Sequence, residues 1–138
     1  MKPIWKRSPS LEELNRYCRN TLISHLGIQI VEIGPDFLVA DMPVTPALYQ
    51  TMGIVHGGAN AALAETVGSL GANLASEEGV KGVGLELNIN HIRAVREGIV
   101  RARGTPVHLG RSTQVWEIRL FNGEALTAIS RLTVSLIA

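Results

Sequence analysis

A single cysteine, Cys18, leaves the chain no internal disulfide and no cysteine-based metal site, and fits a reducing compartment. Aromatic residues are scarce, with two each of Phe, Tyr and Trp. Neither sign of charge is in excess. The 13 basic and 12 acidic residues give a net charge of +1, which argues against a nucleic-acid binder that needs a basic surplus to meet phosphates. No uninterrupted apolar run approaches the roughly 18 residues of a membrane span, and Met1 to Arg7 lack the apolar stretch of a signal peptide. Repeats, low-complexity tracts and linkers are also missing. The expectation is a soluble, cytoplasmic protein with one domain over residues 1–138. Hydrophobic residues make up 46% and charged residues 18%, enough to bury a core. That core is modest at this size, so self-association is expected to assist it.

What is present falls into a short pattern of elements. Ser10 followed by Glu13 is a capping box, and Leu11, Leu14 and Cys18 follow at helical spacing, predicting a short amphipathic helix over about 10–20. Ile28, Ile30 and Ile33, the turn Gly34-Pro35-Asp36 and residues 37–42 predict a hairpin, with an irregular stretch after Pro43 and Pro46. A long helix is predicted over 57–76, followed by strands over 82–92, 98–107, 113–121 and 125–137. Asn122-Gly123 is a strong hairpin signal between the last two. In the first of these four strands Val83, Leu85, Leu87 and Ile89 read as one face. The fold class is therefore α+β: an antiparallel six-stranded sheet curled around one long helix, with a short N-terminal helix.

The long helix carries Gly57, Gly58, Gly68 and Gly71 among six alanines. A glycine inside a helix costs about 1 kcal/mol against alanine, so small residues kept there imply that other backbone packs very close. Between Met42 and Ser76 one residue alone is charged, Glu65. No Lys or Arg of the helix offsets it, so burial predicts a carboxylate in an apolar pocket, suited to general-base or nucleophilic work. A solvent-facing glutamate is the plain alternative. His56-Gly57-Gly58 opens the helix with uncovered N–H groups at its positive end, a site for a developing oxyanion, although a flexible helix entry explains the triplet equally. His56 and Glu65 are nine residues apart. At about 100° per residue they lie on opposite faces, about 13 Å apart along the axis. If both act on one substrate, two copies of the chain must supply them. Ser69 shares the face of Glu65, and Gln50 is an amide donor in the loop before the helix.

The run Gly53-Ile54-Val55-His56-Gly57-Gly58-Ala59-Asn60-Ala61-Ala62-Leu63-Ala64-Glu65-Thr66 resembles the hot-dog-fold acyl-CoA thioesterases, within them the 4-hydroxybenzoyl-CoA clade that carries its acid on the central helix. The likeness extends over the chain through Ile4-Trp5-Lys6, Val83-Gly84-Leu85-Glu86, Asn90-His91-Ile92-Arg93, His108-Leu109-Gly110-Arg111 and Ser130-Arg131-Leu132-Thr133. It is similar to the branches acting on 1,4-dihydroxy-2-naphthoyl-CoA in menaquinone synthesis and in enterobactin proofreading. The resemblance implies a hot-dog fold, a homodimer with joined sheets, and a homotetramer built from two dimers. It implies Glu65 as nucleophile or general base and the Gly57 N–H as donor to the thioester carbonyl. His56 and Gln50 become supporting residues, and Ser69 a hydroxyl that holds the water. The substrate is then an acyl-CoA or acyl-carrier-protein thioester, the acyl group aromatic. No separate cofactor or metal is implied, coenzyme A being part of the substrate. Candidate contacts to coenzyme A are Gly82, Val83, His91, Arg93, His108, Gly110 and Arg111, with Arg96 a weaker one.

Two other functions stay open: a hot-dog dehydratase or hydratase, and a non-catalytic acyl-CoA-binding module. The four histidines, His25, His56, His91 and His108, show no close metal-ligand spacing. Cys18 sits on the apolar side of the first helix and is a poor nucleophile candidate.

Overall fold

The computed structural model describes residues 2–138. The elements in chain order are α1 (Leu11–Tyr17), α2 (Leu22–His25), β1 (Gln29–Ile33), β2 (Leu38–Pro43), α3 (Gly57–Leu74), β3 (Lys81–His91), β4 (Ile99–Leu109), β5 (Thr113–Asn122) and β6 (Ala125–Ile137), with a 3-10 turn at Pro46–Leu48. All strand pairs are antiparallel, in one six-stranded sheet ordered β1-β2-β4-β5-β6-β3. The sheet curls around α3, the hot-dog arrangement expected.

The helix expected over 10–20 is shorter and is followed by a second. Ser10 caps α1 by accepting the Glu13 N–H at 3.1 Å, but the expected capping box is only half formed: the Glu13 carboxylate accepts from the Ser10 hydroxyl at 3.1 Å and not from the Ser10 amide. Asn20 then takes the left-handed conformation, φ 60°, which asparagine tolerates better than most residues. Thr21 and Ser24 cap α2 reciprocally. α1 packs against β1 and α2 against α3, and the N-terminal segment runs past the C-terminal end of α3, where the Lys6 and Arg7 amides donate to the Leu74 carbonyl. Trp5 stacks on buried Trp116 with centroids 6.1 Å apart, and its indole N–H donates to the Gly34 carbonyl at 2.6 Å.

The glycines of α3 do mark a close approach, but by sheet side chains rather than backbone. A Cβ at Gly68 would lie 2.6 Å from Leu132 Cδ2, and one at Gly71 would lie 2.8 Å from the Trp116 ring. Large residues on the sheet thus fill the room that small residues on the helix leave, which is how cores reach crystal-like density. Leu63, Ala64, Val67 and Ala72 complete the buried face of α3.

β3 departs from the expected alternation. Its pairing with β6 shifts register between Gly84 and Glu86, a β-bulge at Leu85. Before the bulge Gly82 and Gly84 face the helix; after it Leu87 and Ile89 pack against the core. Val83 and Leu85 are left outside, 50% and 64% exposed. The four apolar residues are therefore not one face.

Candidate active site

Two clefts open on opposite sides of α3. The first, of about 410 Å³, lies between α2 and the middle of α3 and holds Glu65 and Ser69 among Leu22, Ile23, Leu26 and Leu70. The second, of about 290 Å³, lies at the start of α3 and holds Gln50, Gly57, Asn60, His91 and Arg93.

Glu65 is exposed in the single chain, which corrects the expectation of a buried carboxylate. The cause is the helical period: the neighbouring Leu63, Ala64 and Val67 face the sheet, and Glu65 falls on the outer side of α3. Its surroundings are nonetheless specific. The cleft walls are mainly aliphatic, and a Cβ at Gly84 would lie 2.6 Å from Glu65 Oε2, so the carboxylate lies directly against the β3 backbone. Among the described residues Glu65 makes no ion pair and no side-chain hydrogen bond. It is an uncommitted carboxylate, one helical turn from the Ser69 hydroxyl on the same cleft wall.

The start of α3 is built by its N-cap. His56 Nδ1 accepts the Gly58 N–H at 2.7 Å, so the neutral ring carries its proton on Nε2. The Ala59 and Asn60 amides both donate to the His56 carbonyl, at 3.0 and 3.3 Å. The Gly57 N–H is the first-turn amide left without a partner among the described residues. Gly57 lines the second cleft, at the positive end of an 18-residue helix. The Gln50 side-chain oxygen accepts the Met52 N–H, which leaves its amide N–H groups free to donate. His91, at the end of β3, covers Gly57: a Cβ there would meet its Nε2 at 2.8 Å.

The residues named from the sequence thus divide into groups. Glu65 and Ser69 share one cleft; Gln50, Gly57, His91 and Arg93 share the other. Gly82 and Val83 flank a third hollow with Arg7, Tyr17 and Lys81, while Gly110 and Arg111 lie beside the C-terminal end of α3. His108 is exposed at the end of β4. Asn60, which also lines the second cleft, escaped the sequence reading. Its signal was there: one amide side chain inside a run of alanines.

An α+β sheet wrapped on a helix with this pair of clefts defines the class, and the comparisons agree with it. A family model of the thioesterase superfamily matches residues 52–129. The fold is close to a thioesterase of Haemophilus influenzae (TM-score 0.95, 49% identity, covering 97% of this chain and 94% of that one). It is also close to a mutant thioesterase of Pseudomonas aeruginosa (TM-score 0.94, 38% identity, covering 97% and 98%). A thioesterase enzyme of Staphylococcus aureus is similar both as a glutamine-to-alanine mutant (TM-score 0.80, 38% identity, covering 85% and 98%) and as a glutamate-to-alanine mutant (TM-score 0.81, 36% identity, covering 84% and 98%). Its two replaced positions are fifteen residues apart, the separation of Gln50 and Glu65 here. The chain belongs to the thioesterase superfamily and is a thioester hydrolase.

Proposed function

We propose that the protein hydrolyses acyl-CoA thioesters, with an aromatic acyl group, to the free acid and coenzyme A, at sites completed by two copies of the chain. The observation that carries this reading is the presence on one helix of an uncommitted carboxylate at its middle and an unpartnered amide at its start, in separate clefts. One chain cannot bring them to one carbonyl carbon. A second copy laid antiparallel along α3 can, with Gly57 and Gln50 from one copy and Glu65 and Ser69 from the other. The exposed edge strand β3 supports sheet-to-sheet joining in such a dimer. The same closure takes Glu65 out of bulk water. Pairing of dimers into a homotetramer follows from the family resemblance.

In the reaction the thioester oxygen accepts from the Gly57 N–H, with Gln50 and His56 beside it. Glu65 acts as general base or as nucleophile. As base, it takes a proton from a water held by Ser69 while the water oxygen bonds to the carbonyl carbon. The carbonyl electrons move to the oxygen at Gly57, then return to expel the thiolate, which takes the proton from Glu65. As nucleophile, its carboxylate bonds to the carbonyl carbon and the coenzyme thiolate is expelled, leaving an anhydride. Water then cleaves the anhydride to the free acid and the Glu65 carboxylate, and the proton released goes to the thiolate. One donor to such an oxyanion is worth about 3–4 kcal/mol. His91 and Arg93, with Gly82, Val83, His108, Gly110 and Arg111, are the proposed contacts to the coenzyme. The reaction needs no separate cofactor, and a cytoplasmic setting follows from the substrate.

The test is thiol release from a panel of acyl-CoA and acyl-carrier-protein thioesters by the wild type, Glu65→Gln and Glu65→Ala. Turnover by the wild type and its loss in both variants support the reading. Full activity in Glu65→Ala overturns it, and consumption of a 3-hydroxyacyl thioester without thiol release points to a hydratase instead.

A further inference from the structure

Asn60 is out of place in its helix. Its neighbours are alanines and a leucine, all suited to a close-packed rod, yet here an amide is 94% removed from solvent, its residue only 6% exposed. Its Oδ1 is the one buried side-chain polar atom without a hydrogen-bond partner among the described residues. A buried polar group left unpaired is unfavourable unless something completes it, and the residue lines the same cleft as the free Gly57 N–H.

The helix geometry relates the two groups. Asn60 stands three residues after Gly57, on the same face and about 5–6 Å away. Helical Cα–Cβ bonds tilt toward the N-terminus, so a side chain at 60 lies over the turn that begins at Gly57. An acyl group whose carbonyl oxygen sits at the Gly57 N–H therefore passes Asn60 with its first few atoms. We infer that Asn60 is a specificity-determining residue whose amide hydrogen-bonds a hydroxyl carried by the acyl group close to the thioester carbonyl. This rests on the thioesterase reading of the cleft and narrows its substrate class to acyl groups bearing a hydrogen-bond donor. An unsubstituted acyl group leaves the amide buried and unpaired, which is the situation in which a polar site rejects an analogue lacking the hydroxyl.

The test compares 2-hydroxybenzoyl-CoA with benzoyl-CoA, a pair differing by one hydroxyl. Expected is a wild-type preference in kcat/KM of about tenfold or more for the hydroxylated ester. Asn60→Ala should bring the ratio near one by slowing the hydroxylated ester, with benzoyl-CoA changed by less than about threefold. The Tm of Asn60→Ala should be equal to or above that of the wild type, because removing an unpaired buried amide relieves the fold. Asn60→Ser, which keeps a polar atom, should retain part of the preference. The same preference is read without turnover, as the ratio of the Kd values of the two esters on Glu65→Gln with and without Asn60→Ala. Absence of hydrolysis with that binding preference intact contradicts the hydrolase reading and upholds the role of Asn60. Equal treatment of the two esters by the wild type overturns the inference. So does an unchanged ratio in Asn60→Ala, or a parallel fall for both esters with a lowered Tm, which marks a structural asparagine.

Discussion

The Glu65 carboxylate occupies the space that the missing side chain of Gly84 leaves open: a Cβ at 84 would lie 2.6 Å from Glu65 Oε2. The same Cβ would meet Leu132 Cδ1 at an ordinary 3.5 Å. The conflict in Gly84→Ala is therefore with the free end of a flexible side chain and not with the core. The fold should accept the change, and the carboxylate should move. A displacement of about 1 Å at a reacting group can cost 100-fold in rate. The expected result is a fall in kcat of about 10- to 100-fold with Tm nearly unchanged, measured by thiol release and thermal denaturation. A stable Gly84→Ala protein with wild-type kcat would show that the position of this carboxylate does not matter.

The Gly57 amide can be removed without breaking the helix. Proline is tolerated at the first helical position, and His56 at ψ 133° already has the conformation a following proline demands. Gly57→Ala adds the same first side-chain atom, pushing His91 alike, but keeps the N–H. Gly57→Pro should lower kcat about 100- to 1000-fold relative to Gly57→Ala, with both proteins folded by circular dichroism. Equal rates would remove the amide from the mechanism.

Gly71 is a packing site. Replacing it with alanine gains about 1 kcal/mol of helix propensity, against an overpacking cost of about 1–3 kcal/mol. Trp116 cannot yield easily: it is fully buried, its indole N–H donates to Gln114 at 2.9 Å, and Trp5 stacks on it. The cost should win, and Gly71→Ala should be less stable than wild type by chemical denaturation. A more stable variant would mean that the Trp116 pocket is soft.

Cys18 is buried at 3% exposure, and burial pushes its thiol pKa up. Raising the pKa lowers the thiolate fraction at any pH below it, and thiolate is the reactive form. At pH 8 a disulfide reagent should label the native protein at least about tenfold more slowly than the denatured chain, with no loss of activity while the protein stays folded. Rapid native labelling would place the thiol in solvent.

Much of the fold was legible because the local signals agree with one another. The Ser10 cap, the Gly34-Pro35-Asp36 turn and the alternation of Trp116, Ile118 and Leu120 appear as expected. The hairpin signalled by Asn122-Gly123 also forms, one residue further on: Asn122 pairs with Ala125, and Gly123-Glu124 is the loop, with Gly123 at φ 61°. Two features were hidden for physical reasons. The bulge at Leu85 inserts one residue, and one residue reverses every later side chain of a strand. The exposure of Glu65 depends on which side of α3 meets the sheet, and a helix that is apolar nearly all round gives no such direction. The separation of the helix start from Glu65, and the shared face of Glu65 and Ser69, followed from spacing along the helix, whereas placing Gln50 beside Gly57 rested on the family resemblance. Contacts between distant elements, Glu65 with Gly84 and Gly57 with His91, had no local signal.

Subunit mixing tests the shared site most directly. Gly57→Pro and Glu65→Gln each disable a different half of the proposed site, so each protein alone should be nearly inactive. When the two are mixed and allowed to exchange, half of the dimers carry one of each, and one of the two sites in such a dimer has both native residues. Activity should rise to about a quarter of the wild-type value by the statistics of a twofold dimer. A mixture that stays as inactive as its parents after proven exchange would contradict a site shared between two chains.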